Sequence, residues 1–222
     1  MTTIGIIGSG MIGGTVARLS VAAGYHVVVS NSRGPETLAE LSAELGPLAT
    51  GGTSEQAAEA GDLVVVSIPV KAFGDVPVKP LVGKPVLDTG NYYPRRDGQI
   101  AELDTGALTS SGLLQRYLPE SRVVKVFNNI VFRHLRYLAR PSGADDRSAL
   151  PIAGDDAAAK AAVTAFLDSI GYDAVDAGSL PESWRQEPGA PVYGTPYGPY
   201  SDEMGTPASA ATIHAALVGA HR

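Results

Sequence analysis

Cysteine is absent from this 222-residue chain. Disulfides, thiolate catalysis and cysteine-held metal sites are thereby excluded. Histidine is scarce, and His26, His134, His214 and His221 are scattered without metal-ligand spacing. Basic residues are outnumbered by acidic ones, 17 against 23, which leaves a net charge of −6. That balance argues against non-specific nucleic-acid binding. Apolar runs of roughly 18 residues, the length that marks a membrane-spanning helix, do not occur. No basic leader precedes the first apolar stretch, so no signal peptide is expected. Catalytic signatures are missing too: no serine sits in a nucleophile-elbow pattern, and no carboxylate pair stands out. What remains is the expectation of a cytoplasmic protein whose partner is a small molecule, neither a nucleic acid nor a membrane.

Glycine, by contrast, is plentiful at 26 residues, and its placement near the start of the chain is the most informative feature. The apolar run Thr3-Ile4-Gly5-Ile6-Ile7 leads into Gly8-Ser9-Gly10-Met11-Ile12-Gly13, and a proline-free, helix-compatible segment extends to Ala23. A strand, a G-x-G-x-x-G turn and a helix in that order are the fingerprint of a dinucleotide-binding βαβ unit. Gly8 permits the tight turn, Gly10 leaves room for a pyrophosphate, and Gly13 lets the helix pack closely on the sheet. The free N–H groups and the dipole at the helix start favour a bound anion.

The end of the second strand, Val27 to Ser30, selects the nucleotide. An NAD site usually places Asp or Glu there, about 20 residues beyond the glycines. Here Asn31-Ser32-Arg33-Gly34 follows, and the first acid is Glu36. Asn31 and Ser32 can donate hydrogen bonds, and Arg33 can pair with a 2′-phosphate. The reading is therefore NADP(H) rather than NAD.

Strand and helix signals then alternate. Helical stretches are expected at Pro35 to Glu44, from the Thr53-Ser54-Glu55-Gln56 capping pattern, at Ser111 to Leu118, at Asp155 to Ile170 and at Ala208 to Ala220. Strands are expected at Leu48 to Gly51, Asp62 to Ile68, Lys84 to Asp88, Arg122 to Phe127, Leu150 to Gly154 and Tyr172 to Asp176. The near-continuous run Leu63-Val64-Val65-Val66 is the mark of a strand buried on both faces of a parallel sheet. The expected fold is α/β, a Rossmann-type, doubly wound and mostly parallel sheet over residues 1–178. Residues 179–222 form a C-terminal extension. Within it, the stretch from Gly189 to Pro207, rich in Gly, Pro and Tyr, should be loop or extended chain that wraps the body, covers the site or bridges two subunits of a homodimer.

Ligands in such sheets lie beyond the carboxyl ends of the strands. Ser67-Ile68-Pro69, Asp88-Thr89-Gly90-Asn91 and Phe127-Asn128-Asn129 follow three of the expected strands. They should converge on the nicotinamide end, where Asn91 and Asn128 could hydrogen-bond the carboxamide or a second substrate. Lys125 and Asn128 resemble a Lys/Asn catalytic pair, but on a strand residues three apart point to opposite faces. Trp184 beside Arg185 offers a stacking wall, and Tyr92, Tyr93 and Tyr193 are candidate proton donors.

In these segments, together with Ser32-Arg33 and Val124-Lys125-Val126-Phe127-Asn128, the chain resembles the NADP-dependent oxidoreductases of the coenzyme F420 family over roughly residues 3 to 178. The resemblance implies that the glycine turn holds the pyrophosphate and that Ser32 and Arg33 contact the 2′-phosphate. It further implies that Ile68, Pro69 and Asn128 line the nicotinamide and deazaflavin pocket. Asn31 is an additional polar residue before the Ser-Arg pair, and Ser183 to Pro207 departs from the family's helical end. The implied activity is hydride transfer between NADP(H) and F420, which demands proximity and orientation more than an acid or base. The alternatives are an NADPH-dependent reductase of a small C=O or C=N substrate, and a non-catalytic NADP(H)-sensing module.

Overall fold

The computed structural model describes residues 2–222. Strands β1 (Thr3–Ile7), β2 (His26–Ser30), β3 (Ala49–Gly52) and β4 (Leu63–Val66) alternate with helices α1 (Met11–Ala22), α2 (Ala39–Leu45) and α3 (Ser54–Ala60). Next come β5 (Pro85–Asp88), the short helices α4 (Pro94–Asp97) and α5 (Ala101–Asp104), then α6 (Ser110–Tyr117), β6 (Arg122–Lys125) and α7 (Phe132–Tyr137). The chain continues through β7 (Ala149–Gly154), α8 (Ala157–Ser169), β8 (Asp173–Asp176) and α9 (Ala210–Val218). The sheet order is β3-β2-β1-β4-β5-β6-β7-β8. Every neighbouring pair is parallel except β6 and β7, which run antiparallel through Val124↔Gly154 and Lys125↔Ala153. The fold is the α/β, Rossmann-type sheet that the sequence pattern implies, with an order switch between β1 and β4 at the glycine turn. Among the described residues no helix is long and apolar enough to cross a membrane.

Burial on both faces explains the unbroken valine run. In β4, Leu63 and Val65 join one apolar cluster with Ile4, Ile6, Val16 and Phe166. Val64 and Val66 join the other with Ile7, Phe73 and Leu114. Side chains alternate across a strand, so a strand covered on both sides needs apolar residues at every position. Helix starts follow local chemistry. Thr53 and Gln56 form a reciprocal capping box at α3, and Asp156 accepts from Ala159 N at α8.

Three boundaries differ from expectation. Pro35–Leu38 forms a 3-10 turn before α2 begins, with Thr37 N–H bonded to Gly34 O in the i→i+3 manner. The β4 ladder stops at Val66 and the β6 ladder at Lys125. Ser67-Ile68-Pro69 therefore lies off the strand end rather than in it. Phe127 turns out of the ladder with φ 66° while fully buried. That is an uncommon backbone for a bulky residue and one found at functional turns.

After β8 the chain makes 3-10 turns at Leu180–Gln186 and Thr195–Tyr197 before α9. Tyr197 is wholly buried and donates to Ala149 O at 2.8 Å. Asn129 Nδ2 donates to Val192 O and to the Tyr197 hydroxyl. The stretch from Gly189 to Pro207 is thus held at the start of β7, although Tyr200 remains 54% exposed.

Candidate functional site

The glycine turn is built by backbone constraints. Gly8 has φ +107°, and a Cβ there would stand 2.2 Å from Ser67 O. A Cβ on Gly13 would stand 1.9 Å from Gly8 O, so helix α1 can seat on the turn only without a side chain. Gly10 is different: a Cβ there would meet no atom within 4 Å. The space beside Gly10 is open, and α1 starts there with no capping side chain and no acidic residue in its first turn. Unpaired N–H groups and the positive end of a twelve-residue helix dipole therefore face open space.

The loop after β2 is joined to that turn by Asn31. Its Nδ2 donates to Thr37 Oγ1 at 2.9 Å and lies 3.4 Å from Ser9 Oγ, while Oδ1 accepts from Arg33 N at 2.8 Å. Asn31 thus orders the loop with both ends of its amide. Ser32 and Arg33 are exposed, and among the described residues the Arg33 guanidinium has no hydrogen-bond or ion-pair partner. Glu36, the first acid after β2, is exposed and turned back on Gly34.

A cleft of about 390 Å³ opens beside the turn at the carboxyl ends of β1, β4, β5 and β6. Gly10, Met11 and Ile12 form one wall, and Ser67, Ile68 and Pro69 another, with Asn91 and Asn128 between them. Eight of the sequence-derived site residues are thereby brought together. Gly8 and Gly13 lie under the turn, and Ser9, Asn31, Ser32 and Arg33 lie alongside it, toward β2. A wider hollow beside Leu19, Ala139 and Arg140 has its arginine already paired with Asp146 at 2.8 Å.

The two asparagines hold each other. Asn91 Nδ2 donates to Asn128 O at 2.8 Å, and Asn128 Nδ2 donates to Asn91 Oδ1 at 3.0 Å and Gln186 O at 2.6 Å. Because carbonyls fix both amide orientations, the pair is a rigid strap across the ends of β5 and β6. Beneath it, Lys125 and Asp88 are fully buried. Lys125 Nζ donates to Gly90 O, Ser110 Oγ and Ser111 Oγ at 2.9–3.0 Å and stands 3.6 Å from Asp88 Oδ2. Lys125 supports the cleft and does not line it. The Lys/Asn catalytic pair is not assembled.

Two further expectations are corrected. Tyr92 turns away: its hydroxyl accepts from Ile100 N at 2.9 Å and donates to Asp104 Oδ1 at 2.7 Å. Trp184 lines a separate cavity with Leu103 and Glu187, with the Arg185 and Arg222 guanidiniums 5.4 and 5.1 Å from its ring centre. It is no wall of the cleft. Tyr93 and Tyr193 do line the cleft, and their hydroxyls are hydrogen-bonded to each other across 100 residues of sequence. Burial, and then the bond to Tyr93, push the Tyr193 hydroxyl well above its ordinary pKa.

Arg96 escaped the sequence reading. Its guanidinium lies 4.9 Å from the Tyr93 ring centre and donates to Asn91 O at 2.6 Å and to the buried Asp97 at 2.9 Å. The signal available was the Tyr92-Tyr93-Pro94-Arg95-Arg96 run directly after a strand end. The wall formed by Ile130, Val131 and Phe132 was also missed, since nothing in an apolar triplet distinguishes a cleft wall from core.

Comparison with known proteins shows what the chain is similar to. Over 53 residues the chain is 42% identical to protein YjhV of Escherichia coli (strain K12), a stretch covering 24% of this chain. The chain spans about two-fifths of that relative's length, 39%. A crystal structure of hypothetical protein SMa0349 from Sinorhizobium meliloti superposes with TM-score 0.74 at 29% identity, covering 86% of this chain and 93% of that one. A provisionally named F420-dependent NADP reductase from Arthrobacter sp. FB24 superposes with TM-score 0.69 at 25% identity, covering 83% and 87%. Residues 3–92, from β1 through the glycine turn to the end of the β5 loop, match the family NADP oxidoreductase, coenzyme F420-dependent, and the resemblance read from those segments is borne out there.

Proposed function

We propose that the protein is an oxidoreductase that moves hydride between NADP(H) and a second redox carrier, the deazaflavin coenzyme F420. The observation that carries the nucleotide reading is the open, uncapped start of α1 at Gly10 beside a loop with an unpaired arginine. A pyrophosphate at Gly10 would meet free N–H groups, and a 2′-phosphate would meet Arg33 and Ser32. The residues present fit NADP(H). When bound, its nicotinamide supplies or takes the hydride. The chain's own groups do the rest. Asn91 and Asn128 present fixed amides to the ring end, Ile68 and Pro69 form a stiff turn beneath it, and Ile130 to Phe132 exclude water from the far wall. The family match and the Arthrobacter protein's name support F420 as the partner carrier.

The second reading, an NADPH-dependent reductase of a small C=O or C=N compound, is favoured by the two tyrosine hydroxyls on the cleft wall. The homodimer expectation is retained as part of the proposal, resting on the exposed Tyr200 and Met204 of the C-terminal stretch. NADPH oxidation by the purified protein with F420, FMN and small carbonyls in turn separates the readings. F420-dependent oxidation, abolished in a folded Gly10→Val variant that no longer binds NADPH, is the expected result. Binding of NADPH without turnover on any acceptor would instead identify a sensing module.

A further inference from the structure

Tyr93 and Tyr193 lie 100 residues apart in the chain and meet at one cleft wall. Tyr93 follows β5 and is 37% exposed. Tyr193 lies in the Gly/Pro-rich stretch, which is pinned by Gly194 N donating to Asn129 O at 2.8 Å. Tyr93's position is fixed from its own side as well, because its backbone N–H donates to the buried Asp97 carboxylate at 3.0 Å. Asp97 in turn holds Arg96, whose guanidinium covers the Tyr93 ring.

Hydride delivery to a conjugated acceptor is incomplete without a proton. As the acceptor carbon gains a C–H bond and two electrons, its conjugated heteroatom must gain H⁺, or negative charge builds up there. Resting on the hydride-transfer reading, we propose that the Tyr93 hydroxyl donates this proton, with Tyr193 and Arg96 stabilising the phenolate left behind. The acceptor class is then a conjugated C=N or C=O compound that is protonated on its heteroatom as its carbon is reduced. The balance closes: NADPH loses hydride and becomes NADP⁺, the acceptor gains one C–H and one N–H or O–H bond, and the exposed Tyr93 recovers its proton from water.

The roles divide by burial. Tyr193 is the more enclosed and holds its proton, so it donates to the Tyr93 oxygen, and the Tyr93 proton is left for the acceptor. The Arg96 cation on the ring face and the Tyr193 hydroxyl at the oxygen are placed to stabilise the charge that develops on Tyr93 as its proton leaves. The titratable groups facing Tyr93 are Arg96 and Asp97 on its own turn, and Tyr193 and Tyr200 from the C-terminal stretch. Tyr93 and Arg96 are thus contributed by the chain after β5, while Tyr193 makes the activity depend on the C-terminal stretch.

The test uses Tyr93→Phe, Tyr193→Phe and Arg96→Gln in the full chain, with F420 and a cyclic imine as acceptor probes. Tyr93→Phe should slow single-turnover NADPH oxidation by about 10²–10⁴-fold, the range for a lost general acid, with NADPH affinity by calorimetry changed less than about twofold. A second readout is the coupling between the residues. Tyr193→Phe and Arg96→Gln should each slow the single turnover in the wild-type background with NADPH affinity unchanged, and should slow it no further once Tyr93 is phenylalanine. A Tyr93→Phe variant that keeps its rate, or neighbour substitutions that slow Tyr93→Phe as much as they slow wild type, overturns the proposal while leaving the hydride-transfer reading intact. A wild type that binds NADPH and reduces neither probe overturns that reading and the proposal with it.

Discussion

Replacing Lys125 with methionine tests whether charge ties together the two strand ends that frame the cleft. Neither Lys125 nor Asp88 has any exposed side-chain surface. The three ammonium protons are all placed, on Gly90 O, Ser110 Oγ and Ser111 Oγ. Ser111 then bridges to the acid, donating to Asp88 Oδ2 at 2.6 Å. Methionine nearly matches the lysine stem, so the perturbation opens little cavity and the loss is electrostatic. The Asp88 carboxyl would keep only two neutral donors in the core, Gly90 N at 2.7 Å and Ser111 Oγ. Removing one partner of a buried ion pair costs about 3–5 kcal/mol, because the other charge stays desolvated. In a chain of this size that lowers Tm by roughly 6–20 °C. Asp88→Asn removes the stranded charge, so the double variant should lose less than the two singles together, with a coupling of about 1–3 kcal/mol. Urea unfolding of wild type, both singles and the double variant measures it. Additive losses, or a Lys125→Met cost below about 1 kcal/mol, would refute the account and reduce the pair to a neighbouring hydrogen-bond network.

Two more outcomes are expected. Arg33→Ala should weaken NADPH binding by about 1.5–3 kcal/mol, the value of a charge-assisted hydrogen bond, and leave NADH binding almost unchanged. Equal losses in calorimetry would show that Arg33 does not read the 2′-phosphate. Asp97 gives a pH dependence. Burial would push its carboxyl up, but hydrogen bonds from Arg96 and Tyr93 N outweigh it and hold the group below the ordinary 3.8. A folded pKa below the unfolded one contributes stability that is present above the unfolded value and lost as pH falls through the folded one. Wild type should therefore exceed Asp97→Asn in Tm at neutral pH, with the gap closing below pH 3.8. A gap that persists undiminished to about pH 2 would show that Asp97 contributes through packing rather than charge.

Much of the site was legible because local signals and tertiary placement share one cause. A glycine turn that must pass under a helix leaves three glycines at fixed spacing. A strand buried on both faces leaves a valine run. Strand ends in a parallel sheet all point one way, so residues directly after Val66, Asp88 and Lys125 were bound to meet. The antiparallel direction of β7 had no such signal, since a short apolar run reads the same either way. Lys125 was misleading for a related reason. Its charge suggested chemistry, while its role depends on Asp88, Ser110 and Ser111, which a linear reading had no cause to join.

The sequence by itself determined the βαβ turn, the doubly wound order of elements, the loop after β2 that carries an arginine and no acid before Glu36, and the three strand ends that carry the cleft. Those are consequences of backbone sterics and of side-chain period, both written within a few residues of chain. Only the tertiary structure decided which aromatic residues face that cleft. Tyr92 and Tyr93 are adjacent, yet one is bound to Asp104 and the other to Tyr193. Tyr193 reaches Tyr93 because Asn129, Val192 and Tyr197 dock the C-terminal stretch on β7. Contacts of that kind join residues far apart in sequence, are selected by shape and hydrogen-bond closure, and leave no periodic trace in the chain.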